Sequence, residues 1–173
     1  MKKYLYLCLI ALACAAGFVS CGDDDDDITI EDLENSKFTN QNINLKDNGN
    51  TLILSYTAKI KGVPISAVGT YFFDGTSEEA KCTKATMVNT FPSEAIAKQA
   101  YDEEDAEDKA KGIITLNGSQ VIHDETEAYK GMTKSEVKKA LDLVITWVMT
   151  EGNLQIKKEL PKTEKVTIPV QES

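Results

Sequence analysis

Carboxylates are the side chains of this sequence best able to do chemistry. Glu103, Glu104, Asp105, Glu107 and Asp108 fall in one short stretch, and Asp124, Glu125 and Glu127 follow in another. Glycoside hydrolysis needs two carboxyl groups converging on a cleft, about 5–10 Å apart. Acids crowded along one helix end point into water instead, so a solvated face is the expected role. His123 is the single histidine, with Asp124 beside it. Neighbours on a strand point to opposite faces, which makes Asp124 a poor orienter for a Ser-His-Asp triad. No G-x-S-x-G turn is present. Zinc wants several His or Cys ligands at close spacing, and Cys82 and His123 are far apart in sequence. Asp102–Asp108 lacks the glycine and spacing of an EF-hand loop. There is no phosphate-binding loop or dinucleotide fingerprint. The residues thus point to no catalytic group, no metal and no cofactor. The expectation is a protein that is not an enzyme, with a carboxylate-dependent hydrolase as the catalytic alternative.

The composition of the chain narrows this further. It has 173 residues, 28 acidic side chains against 19 basic ones, and a net charge of -9. Every basic residue is Lys, so bidentate Arg recognition of phosphate or carboxylate is excluded. The acidic balance argues against a nucleic-acid partner, which calls for a basic face. A 42% hydrophobic share suffices for one packed domain.

The amino terminus reads as an address. Lys2 and Lys3 precede an apolar run from Tyr4 to Val19, which is too short for a spanning helix and is followed at once by polar residues. Phe18-Val19-Ser20-Cys21 closes that run. This arrangement resembles a bacterial lipoprotein signal, which implies that Cys21 carries lipid and begins the mature chain. Phe18 departs from the usual Leu of that pattern. Cys14, after Ala11-Leu12-Ala13, is the rival, but it would leave Ala15–Val19 as an apolar stretch on the mature protein. Asp23, Asp24, Asp25, Asp26 and Asp27 follow. An acidic run directly after the lipid cysteine is similar to the export tag of surface-exposed lipoproteins in certain Gram-negative bacteria. Five adjacent carboxylates repel one another and stay extended. They do not form a calcium loop, which needs glycine and carbonyl ligands at set spacing. The expected organisation is a signal over 1–20, a tag and tether over 21–38, and a single α+β domain over 39–173. With Cys8 and Cys14 in the signal and Cys21 lipidated, only Cys82 remains, so no intrachain disulfide is expected.

Within the domain, Ile28 to Asn50 is polar and Asn-rich and suggests a tether with at most one short strand. Leu52, Leu54, Tyr56, Ala58 and Ile60 alternate, as do Val63, Ile65, Ala67, Tyr71 and Phe73, across Lys61-Gly62. That is the pattern of a hairpin of half-buried strands. Lys81–Phe91 reads as a third strand. Ser93 can cap a helix through Tyr101, which dissolves into the charged Asp102–Lys111. Asn117-Gly118 between short apolar segments predicts a second hairpin. Thr133-Lys134-Ser135-Glu136 is a capping box opening a helix with Val137, Ala140, Leu141, Val144, Ile145 and Val148 on one side. Leu154 with Ile156, and Val166 with Ile168 and Val170, suggest two last strands. The predicted fold is a mainly antiparallel sheet with two helices on one face.

Gly131–Val137 is also similar to the helix-opening motif of small outer-membrane assembly lipoproteins of the SmpA/OmlA type, which implies an α+β domain that binds other proteins. In that family the motif lies close to the lipid, whereas here it lies deep in the chain. For contact with a partner, Phe72 is the ring expected at the surface if Tyr71 and Phe73 fill the core. Trp147 sits off the apolar stripe of the second helix, either capping the core edge, the favoured reading, or marking a contact surface. The functional expectation is a lipid-anchored outer-membrane surface protein that binds a protein or glycan, facing the cell exterior. A periplasm-facing assembly or accessory lipoprotein is the alternative.

Overall fold

The computed structural model describes residues 38–151. The signal, Cys21, the Asp23–Asp27 tag and the two strands expected after residue 152 lie outside the described residues. The described part forms an α+β fold around one antiparallel six-stranded sheet. The strands are β1 (Thr39–Asp47), β2 (Thr51–Ile60), β3 (Val63–Phe73), β4 (Cys82–Thr90), β5 (Ile114–Asn117) and β6 (Gln120–Asp124), in the order β1-β2-β3-β4-β6-β5. The helices are α1 (Glu94–Glu103), α2 (Ala106–Ala110), α3 (Thr126–Tyr129) and α4 (Lys134–Glu151).

Alternation in β2 and β3 sets the layers. Leu52 pairs with Tyr71, Tyr56 with Ala67 and Ala58 with Ile65, and all six side chains are buried. The same face continues through Ala85, Met87 and Asn89 of β4 to Val121 of β6. The hairpin at Lys61-Gly62 has positive φ at both residues, the two-residue turn whose twist suits paired strands. The second hairpin turns one residue later than the Asn-Gly signal suggests. Asn117 pairs with Gln120, and Gly118, at φ +56, takes the first corner of the loop.

Helices cover this face in two patches. Ile96 and Ala97 of α1 and Val148 of α4 pack with Tyr56, Ile65, Met87, Ile114 and Val121. Val137 and Leu141 of α4 and Tyr129 of α3 pack with Leu52, Tyr71, Phe73 and Cys82. Tyr71 and Tyr129 meet edge to face with centroids 4.8 Å apart. The Tyr71 ring folds over Gly69, where a Cβ would stand 3.0 Å from its hydroxyl and from Met87 Cε. Cys82 is buried among these apolar groups, and burial pushes its thiol up, away from reactivity.

Three local expectations change. The polar Asn-rich segment contains a full nine-residue edge strand, β1, because only Ile43 and Leu45 need to face the core there. The charged stretch after α1 is not without structure. Asp105 caps α2 by accepting from the Glu107 and Asp108 amides at 2.8 and 3.2 Å, and Lys111 pairs with Glu107 at 2.5 Å. Between β6 and α4, Thr126–Tyr129 forms the short α3. The two sequence-legible helix starts are built as expected. Ser93 Oγ accepts from the Ile96 amide at 3.3 Å, and Thr133 and Glu136 cap each other's amides at 2.7 and 3.1 Å.

Candidate functional site

Two regions of the domain carry polar side chains that the fold does not need for its core. The first is the sheet face opposite the helices. Strand pairing there aligns Asn42, Thr57, Ser66, Thr90, Gln120 and Asn117, one residue from each of the six strands. Every member bears a hydroxyl or amide. The spacing of about 4.8 Å between strands makes this a polar track about 24 Å long. None of its side chains is buried. The next row holds an apolar rib of Val68, Val88 and Ile122, with Val68 37% exposed. Beyond it lies Phe72, 39% exposed and paired with Lys84 across the ladder. Among the described residues no helix packs on this face, since the buried side chains of β2 to β6 and the partly buried Ile43 and Leu45 of β1 point the other way.

The second region is a polar seam under the helices. His123 lies on the core face of β6, opposite Met87 and beside Ile114 of the edge strand. Its Nε2 is buried and has no hydrogen-bond partner. Glu104, which closes α1, brings Oε1 to 3.6 Å from that nitrogen. Burial holds His123 below its ordinary value and pushes the Glu104 carboxyl up. A neutral imidazole thus sits beside the carboxyl at a distance too long for a hydrogen bond. Two residues on, Glu125 is 8% exposed with Oε2 unpartnered, and burial raises its carboxyl to about 8. Asn89 of β4 is fully buried with both amide atoms unpartnered. Asp124 points away from this seam, pairing with Thr86 on the open face, and its Oδ1 accepts from the Thr126 amide at 2.9 Å.

These placements sort the sequence candidates. Phe72 stands on the open sheet face as expected. Trp147 lies outside both apolar clusters, 41% exposed, one turn after Leu143 at 69%. The two rings are on opposite sides of the domain and do not share a surface. Glu103, Asp105, Glu107 and the other acids of the first run stay at the surface or its edge, apart from Glu104. Among the described residues no three His, Cys, Asp or Glu side chains are grouped to hold a metal ion. The polar track had a sequence signal, outward Thr, Ser or Asn in β1 to β5 and Gln120 in β6, but only strand register lines these up.

Lys134 is buried with its charge fully partnered. Its Nζ donates to Asp47 Oδ1 and the Gly49 carbonyl, both at 2.7 Å, and to the Thr76 carbonyl at 3.4 Å. Lys138 adds a contact to Asp47 Oδ2 at 2.9 Å and one to Glu78. Lys134, and secondarily Lys138, hold the Asp47 carboxyl well below the usual carboxylate range.

The described residues define a two-layer α+β domain in which they leave one sheet face open. No family model, curated protein or solved structure matches the chain. Among the described residues no helix is long and apolar enough to cross a membrane.

Proposed function

We propose that this chain is a lipid-anchored outer-membrane surface protein acting as a non-catalytic binding module. Cys21 carries the anchor and Asp23–Asp27 serve as the export tag. The observation that supports binding is the open sheet face. A two-layer domain can hide its apolar residues with one covered face, and among the described residues nothing covers the second face across all six strands. The partner is a protein or glycan outside the cell.

Lipid anchorage is tested by replacing Cys21 with Ala. The variant should move from the membrane fraction to the soluble fraction and lose incorporation of labelled palmitate. Retained label would show that Cys21 is not the lipid site. Crosslinking of the tagged protein on living cells then identifies its neighbours.

One observation favours a second reading, a carboxylate-dependent hydrolase. Glu125 is buried and Glu104 is half-buried beside His123, whereas solvated acids alone would give that reading no support. Its test is turnover of glycoside and ester substrates by purified protein, with loss of activity in Glu125→Gln and Glu104→Gln. No turnover, or turnover indifferent to both changes, removes it.

A further inference from the structure

The open face differs in charge from the rest of the domain. Among the described residues its strands carry Lys46, Lys59 and Lys84, with Asp124 as the single acid. The chain as a whole has a net charge of -9. All three lysines are exposed, and among the described residues none of them enters an ion pair. Lys59 lies beside the polar track, two residues along β2 from Thr57. Lys46 and Lys84 lie on the other side of the Val68–Val88–Ile122 rib.

We propose that this face binds an extended anionic polysaccharide laid across the strands along the Asn42–Thr57–Ser66–Thr90–Gln120–Asn117 track. The inference rests on the binding-module reading and names the chemistry of its partner. A polysaccharide presents hydroxyls at regular intervals over a long, flat path. A row of six hydroxyl and amide side chains offers both donors and acceptors along such a path. The valine and isoleucine rib beside the track matches the apolar C–H face of a sugar ring, and Phe72 gives a ring for stacking at its far edge. Three exposed ammonium groups, of which Lys84 is partly offset by Asp124 on the same face, leave this side net positive on an otherwise acidic protein; they select uronate or sulfate groups over neutral sugars and steer them here.

An acidic protein partner fits the face less well. Protein interfaces concentrate their energy in clustered, fully desolvated aromatic or aliphatic anchors. Here only Val68 and Phe72 among the large apolar residues of this face are more than a third exposed, and they stand in different rows. An anionic membrane surface fits poorly too, because the face offers one exposed ring, and in its apolar rib only Val68 stands well exposed, too little to insert.

The test uses the full-length lipoprotein in detergent, with polygalacturonate as anionic probe, dextran as neutral probe, and vesicles containing phosphatidylglycerol. Polygalacturonate should bind, weaken as salt rises, and outcompete dextran. Lys59→Gln combined with Lys84→Gln should weaken it about tenfold, a loss of about 1.4 kcal/mol. Thr57→Val combined with Thr90→Val, which keeps strand propensity and shape, should weaken it as well. Trp147→Ala, on the helical side, should leave it unchanged. Absence of polygalacturonate binding overturns the proposal, as does equal binding of dextran. Vesicle binding without polygalacturonate binding, or self-association through this face seen by light scattering, also overturns it. If binding is lost in Trp147→Ala and kept in the track variants, the proposed face is wrong while the binding-module reading stands.

Discussion

Replacing Glu125 with Gln is expected to stabilise the protein by about 3 kcal/mol at pH 7. Its carboxyl is 8% exposed, has an unpartnered oxygen and lies beside the Tyr71–Tyr129 pair. Burial lifts it from an ordinary 4.5 to about 8. A folded-state value above the unfolded one means that the folded protein holds this proton more tightly. The associated stability is therefore complete below about pH 4.5, declines as pH rises, and is gone above about pH 8. Gln mimics the protonated acid without titrating. The variant and the parent should match in acid and diverge steadily towards neutral pH in urea unfolding. Parallel curves would show that Glu125 ionises freely in the folded state. A natural protein keeping an unpaired carboxyl at such a cost is the expected sign of a functional group. The same variant therefore bears on the hydrolase reading.

Replacing Lys134 with Met should cost about 3 kcal/mol, the opposite sign. The ammonium group is 2% exposed on its side chain and spends its hydrogens on Asp47, Gly49 and Thr76. It thereby ties the β1–β2 turn and the β3–β4 loop to the first turn of α4. Met fills the volume but leaves two carbonyls and a carboxylate facing an apolar group. Lys138→Met should cost less than about 1 kcal/mol, because that lysine is partly exposed. The Asp47 carboxyl is depressed by these two lysines, so its contribution is present above the ordinary carboxylate range and is lost as pH falls below it. Asp47→Asn should flatten the acid limb of the stability curve. If Lys134→Met unfolds at the parent's urea midpoint, the buried network contributes nothing.

The sequence made the centre of the fold legible and left its polar network hidden. Strict alternation over Leu52–Ile60 and Ile65–Phe73 sets which face is buried, and the capping residues Ser93 and Thr133 set where helices begin. Those signals are local, within a few residues. β1 was harder to see because an edge strand beside α4 needs only Ile43 and Leu45 inside. α2 was hidden because its stability comes from the Asp105 cap and the Glu107–Lys111 pair, not from an apolar stripe. Lys134 looked like a solvated residue of a capping box, and only the return of the β1–β2 turn onto α4 buries it. Glu104 was indistinguishable from the acids around it until α1 delivered it to His123. The open-face track left polar residues legible in single strands but not their alignment, since each strand supplies only one of its six members.

The most direct measurement of the account is protease added to intact cells. The domain should be digested while a periplasmic marker survives, and Cys21→Ala should abolish its presence on the cells altogether. A domain that stays protected until the outer membrane is permeabilised would contradict surface display and place the protein in the periplasm.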